Sequence, residues 1–192
     1  MSLTPTTELE AVNLMLSVIG ETPVNSVTSN GIADAVLAYQ ILTHSSREVQ
    51  LVGWHWNTEI NFPITPSTTG ELLLPANTLK VDTTGESQGL DLVQRGNRLY
   101  DRVNQTFVFD QPVRVEIVLL LPFDELPEAA RSYITIRSAR QFQERVVGSE
   151  VLQAFTSRDE FAAMAKLKEA EAETGDYNIL SGSWDVARVL FR

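Results

Sequence analysis

The sequence predicts an α+β chain. A helical domain is built from the N- and C-terminal segments, residues 1–53 and 122–192, with a small antiparallel β-domain, residues 54–121, inserted between them. Three observations predict it. Apolar residues recur at helical spacing up to Trp54. From there to Leu121, Pro63, Pro66, Pro75 and Pro112 forbid long helices, while Thr, Val and aromatic residues favour strands. Beyond Leu121 the helical spacing returns.

The first helix starts at Thr7-Glu8-Leu9-Glu10, a Thr-x-x-Glu capping box that offers partners to unpaired amides of a first turn. Leu9, Val12, Leu16 and Ile19 then share one face. Gly20 supplies a left-handed stop, and Pro23 prevents resumption. After the turn-rich connection ETPVNSVTSNG, a second helix is predicted from near Ile32 to Leu51. Its face is Ile32, Ala35, Tyr39, Leu42 and Val49, with Ser46 as a polar interruption.

In the middle, NTEINFPI, NTLKVD and RLYDR are predicted short strands, and QTFVFD and VRVEIVLL stronger ones. Val113, Val115, Ile117 and Leu119 alternate as a half-buried strand requires, and TTGESQG and RGN are the turns between strands.

The stretch LPFDELPEAARSYI sets Asp124 and Glu125 between Pro122 and Pro127, with Glu128 behind them. A carboxylate pair of this kind suits acid–base chemistry, but it also suits a helix start. Pro127 fits a first turn, where its missing amide costs nothing, and nearby carboxylates are stabilised by the helix dipole by about 0.3–1 kcal/mol each. Capping accounts for every residue and is the reading adopted. The helix continues through Ala130, Ile134, Arg137 or Ser138, and Phe142 toward Gly148. Ser149 and a Ser157-x-x-Glu160 box begin or continue a last helix through Phe161, Ala165 and Ala172 to Gly175.

The final segment, GDYNILSGSWDVARVLFR, is aromatic and apolar for a chain end. Tyr177, Leu180, Trp184, Leu190 and Phe191, with Ile179 and Val189, are a candidate assembly interface. The alternative is that the segment folds back onto its own helical domain.

Much chemistry lacks a foothold. With no cysteine there is no thiolate nucleophile, disulfide or sulfur-ligated metal. No phosphate loop, dinucleotide fingerprint or HExxH pattern occurs, and of the two histidines, His55 lies between Trp54 and Trp56 as a packing anchor. No catalytic, cofactor-binding or metal-binding residue is assigned. A net charge of -10 argues against a surface that grips DNA. Arg95, Arg98 and Arg102 form only a small local patch, most simply a strand's solvent face. No apolar run approaches the roughly 20 residues of a membrane span. MSLTPTTELE lacks the basic and apolar parts of a signal peptide, so folding in a cytoplasm is expected.

Taken in order, AVNLMLSVIGETPV, ADAVLAYQIL, GWHWN, RLYDR, DELPEAARSYI with ARQF, and GDYNIL resemble the tail tubular protein A family. These are head-to-tail adaptors, or gatekeepers, of short-tailed, T7-like bacteriophages. The resemblance spans about residues 8–182, and the last ten residues depart from it. It implies a twelve-membered ring of the chain between the portal protein and a tail nozzle protein of the tail tubular protein B type. The helical domain would face the portal and the β-domain the nozzle. Genomic DNA would pass through the lumen during ejection without specific binding. It also implies a virion tail component assembled in the host cytoplasm, with no membrane, no cofactor and no catalytic residues. The alternative implied function is a tail-associated hydrolase acting on host surface polysaccharide or peptidoglycan, for which no residue is singled out.

Overall fold

The structure is a computed structural model that describes residues 4–27, 33–148 and 150–175, with the backbone alone for 150–156. It is α+β, as predicted. The elements are α1 (Glu8–Val18), α2 (Ala33–Gln50), β1 (Thr58–Ile64), β2 (Thr78–Thr83), β3 (Leu92–Arg95), β4 (Arg98–Asp101), β5 (Val113–Leu119), α3 (Glu128–Val146) and α4 (Glu150–Thr174).

The capping box forms as its spacing demands. The Thr7 amide donates to Glu10 Oε2 at 2.9 Å, and the Glu10 amide donates to Thr7 Oγ1 at 3.2 Å. α1 buries Ala11, Val12, Met15 and Leu16, and stops at Gly20, whose φ of 82° suits a residue without Cβ. Asn13 then pins the connection: its side-chain amide donates to the Val24 carbonyl at 3.0 Å and accepts from the Val24 amide at 2.7 Å. α2 buries Ala35, Ala38, Ile41, Leu42 and Val49. Ile32 lies outside the described residues. α3 supplies Ala130, Tyr133, Ile134, Ala139 and Phe142 to the same apolar cluster, and α4 supplies Ala163 and Leu167.

Of the two alternatives for Ser157, it continues the last helix: α4 is already helical from Glu150, so no free first-turn amide remains there to cap. Ser149 is outside the described residues. One expectation fails for a local reason: QTFVFD is no strand. The Asp101 carboxylate captures the amides of Val103 and Asn104 at 2.8 and 2.9 Å, forcing a tight turn. Residues after it pair piecemeal, Thr106 with Asp101 and Val108 with Glu71, so no ladder develops.

Strand β5 is central in a three-stranded antiparallel sheet of order β1-β5-β2. Its Val113, Val115 and Ile117 pack with Ile64, Leu72, Leu74 and Leu99 in a second apolar cluster. β3, which carries no apolar alternation to mark it in the sequence, forms a hairpin with β4. The loop between Arg95 and Arg98 is Gly96-Asn97, the RGN turn, with Gly96 at φ 65°.

The chain leaves the helices through Gln50 to Thr58 and returns through Leu119 to Phe123. Two buried amide side chains join these crossings. Gln50, fully buried, accepts from the Leu121 amide at 2.8 Å and donates to the Leu121 carbonyl at 3.0 Å and to Ser46 Oγ at 3.0 Å. Asn57 donates to the carbonyls of Gln50 and Leu119, both at 2.9 Å, and accepts from the Trp54 amide at 2.8 Å. Trp54 lies in the helical cluster, stacks on Trp56 at 6.3 Å, and donates its indole N–H to the Val49 carbonyl at 2.8 Å.

Leaving the Leu121 backbone unpaired in this setting costs about 1–3 kcal/mol per group. Gln50→Leu is therefore expected to lower the unfolding free energy by about 2–4 kcal/mol in urea titrations. The exposed Gln94→Leu should stay within about 0.5 kcal/mol of the parent. Equal, small effects at both positions would contradict the importance of the clamp.

Candidate assembly surface

The acidic stretch is built into the joint and the start of α3. Phe123–Glu125 is one 3-10 turn, and Pro127 stands at the cap of α3 with φ -58°. No side chain caps α3. Glu128 turns instead to the N-terminal segment, where the Thr6 amide donates to Oε2 at 2.8 Å and the Thr6 hydroxyl to Oε1 at 2.6 Å. Arg131, 8% exposed, donates to the carbonyls of Leu126 at 2.7 Å, of Thr6 at 3.0 Å and of Asp124. Three carbonyls around one guanidinium thus lash the N-terminal segment and the 3-10 turn to α3. Asp124 and Glu125 are exposed. Burial, and then the Asp124 charge, raise the Glu8 carboxyl above its ordinary value, with a hydrogen bond from Tyr39 partly offsetting them.

Ion pairs tie the helices together on another side. Arg137 reaches Glu48 of α2 at 2.8 Å and Glu160 of α4 at 3.3 Å, while Arg140 pairs with Glu160 and with Glu144 at 2.5 Å. The hydrogen bond from Arg137 holds the Glu48 carboxyl below its ordinary value. Toward its C-terminal end, α4 meets the joint. Glu171 accepts from the His55 amide at 2.7 Å and its other oxygen meets the His55 ring.

The surfaces left over are apolar and separate. α4 packs inward through Ala163 and Leu167, so Phe161, Ala165 and Ala172, which stand out as its apolar positions in the sequence, turn to solvent; Phe161 is 78% exposed. Between α1, α3 and α4 runs a groove of about 360 Å³ lined by Leu14, Val18, Ile136, Ala139, Ala162 and Lys166, among others. On the strand-rich part, Leu73, Val103 and Val108 are exposed. The neighbouring arginines are engaged: Arg95 lies 3.6 Å above the Tyr100 ring, Arg98 covers Phe107 and pairs with Glu71, and Arg102 reaches Asp91 at 3.3 Å.

Tyr177, Leu180, Trp184, Leu190 and Phe191, the interface predicted from sequence, lie outside the described residues, as do Ile179 and Val189. The groove and the outward Phe161 were missed, although α4 carries two apolar stripes in its sequence, 161-165-172 and 163-167. Among the described residues, no group of three His, Cys, Asp or Glu could hold a metal, and no helix is long and apolar enough to cross a membrane.

The two shifted carboxylates predict opposite pH effects. Glu48, lowered in the fold, contributes stability above the ordinary carboxyl value that is lost as pH falls through its folded value. Glu8, raised in the fold, disfavours the folded state as pH rises through the window above 4.5. In urea titrations at pH 7, Glu48→Gln should be less stable than the parent and Glu8→Gln equally or more stable. Both differences should shrink well below 4.5; the same sign for both variants at pH 7 would contradict this assignment.

The family model described as Tail tubular protein matches residues 9–177 of the chain. A relative named tail tubular protein A, from Klebsiella phage KP34, is 33% identical over 127 residues, which are 66% of this chain and 66% of that relative. The chain thus covers just under two thirds of that relative's length. The family match takes in all four helices and all five strands apart from the first residue of α1, which is far more than a shared motif. The chain belongs to the tail tubular protein family and is a structural tail protein of a bacteriophage.

Proposed function

We propose that the protein is the adaptor of a short phage tail: twelve copies form a ring that joins the portal protein to the nozzle protein and lines part of the DNA ejection channel. The family match over residues 9–177 carries this reading. Residues 1–53 and 122–192 form the portal-facing helical domain, and residues 54–121 the nozzle-facing β-domain, which offers Leu73, Val103 and Val108 as apolar contacts. The C-terminal segment with Tyr177, Leu180, Trp184, Leu190 and Phe191 is an assembly element. Assembly takes place in the host cytoplasm.

Two features support a passive lumen. A net charge of -10 disfavours release of counterions from DNA phosphates, and Arg98 and Arg102 are already paired with carboxylates. Binding to duplex DNA that survives physiological salt would contradict it. The alternative, a hydrolase acting on host polysaccharide or peptidoglycan, is less supported, since Glu128 is committed to Thr6 and Asp124 is exposed.

Phage grown without this chain should yield filled heads that lack the nozzle, seen by electron microscopy, and adding the purified full chain should restore nozzle attachment. Chain truncated after Gly175 should fail to restore it while melting at nearly the parent temperature. Heads that carry a nozzle without this chain would overturn the adaptor reading. A large fall in melting temperature with assembly intact would place the C-terminal segment in the subunit's own core.

A further inference from the structure

We propose that Phe161 of one copy seats in the groove between α1, α3 and α4 of the next copy, so that α4 carries both halves of the contact between neighbours in the ring. The proposal rests on the ring reading above and names the surfaces that would close it.

The argument begins with the helix geometry. At about 100° per residue, Ala163 and Leu167 face inward, Ala162 and Lys166 line the groove on the adjoining flank, and Phe161, Ala165 and Ala172 point outward to solvent. Phe161, exposed and absent from the groove lining, does not fill the groove of its own chain. A phenylalanine at 78% exposure, with exposed alanines one turn and three turns beyond it, is a knob on a flat helix face.

The groove matches it in size and character. At about 360 Å³ it is larger than the roughly 150 Å³ apolar cavity that admits benzene, and Leu14, Val18, Ile136, Ala139 and Ala162 make it mainly apolar. Leu14, at its rim, is 44% exposed although it belongs to a helix whose other face is fully buried.

Charge favours a second copy as occupant. Arg158 and Lys168 are exposed three residues before and seven after Phe161, and with exposed Glu169 eight residues after it the knob face keeps a net positive charge in an acidic protein. On the groove side stand Asp159 and, one turn before Leu14, the exposed Glu10; Lys166 is the base among the lining residues. In the proposed ring each copy gives its Phe161 to one neighbour and receives the other neighbour's Phe161 in its own groove. The contact is heterologous, and heterologous contacts close into rings when the rotation between neighbours divides the circle.

The chain has no cysteine, which makes the test clean. Leu14→Cys and Phe161→Cys are introduced together, and tails from virions carrying this chain are treated with a mild oxidant. The expected result is a ladder of cross-linked species at two, three and more chain masses, absent with either substitution alone. Separately, Phe161→Asp should melt within about 2 °C of the parent as an isolated chain yet give virions without tails, while Phe161→Leu keeps them. Complete tails without a ladder, or Phe161→Asp virions with tails at parental numbers, would overturn the proposal. So would an intramolecular cross-link from Leu14→Cys to Trp184→Cys, which would put the chain's own C-terminal segment in the groove. Multiple copies per tail with no ladder would leave the ring standing and discard this contact; a single copy per tail would discard the ring as well.

Discussion

Two buried amides, Gln50 and Asn57, govern how the sheet sits on the helices. Gln50 ends α2 and Asn57 immediately precedes β1; Gln50 bonds the main chain of Leu121, 71 residues away, and Asn57 the carbonyl of Leu119, 62 residues away. Such groups are costly to bury unpaired, so the two chain crossings must remain together for either to stay dry. Sterics narrow the geometry further. Gly53, between them, has φ 83°, and a Cβ there would lie 3.1 Å from Val118 Cγ2. A side chain at position 53 would therefore push against the central strand at the joint.

The helical layer is fastened to the same joint from the other side. Trp54 belongs to the helical core, and Glu171 of α4 grips His55 beside it. A displacement of α4 would therefore be felt at Trp54 and Asn57, and through Leu119 at the central strand. For a structural protein of a phage tail this is a useful mechanical property. A load applied to helices on one side is passed through hydrogen bonds and packing to a sheet on the other, with no long flexible linker between them.

Several parts of this arrangement are legible in the sequence because they depend on near neighbours. The Thr7–Glu10 box acts within one turn, the alternation from Val113 to Leu119 states which face of β5 is inward, and RGN needs a positive φ at Gly96. The clamp is not legible, because a glutamine near a helix end looks like surface until Leu121 is brought to it by folding. QTFVFD looks like a strand by composition, yet the Asp101 carboxylate takes over the local amides first. The apolar residues of α4 were readable, but which stripe faces inward depends on α3, and the sequence favours Phe161 for the core because it is the largest. The exposed knob and the groove follow from that packing choice.

The central claim is that the joint couples the two apolar clusters, and native-state hydrogen exchange at the Leu121 amide tests it most directly. That amide donates to Gln50 Oε1 at 2.8 Å in a short connection outside any helix or strand. If the clamp couples the clusters, Leu121 exchanges with an opening free energy equal to that of the buried amides of α3 and β5. Exchange of Leu121 at nearly the rate of an unprotected amide, while α3 and β5 stay protected, would contradict the account.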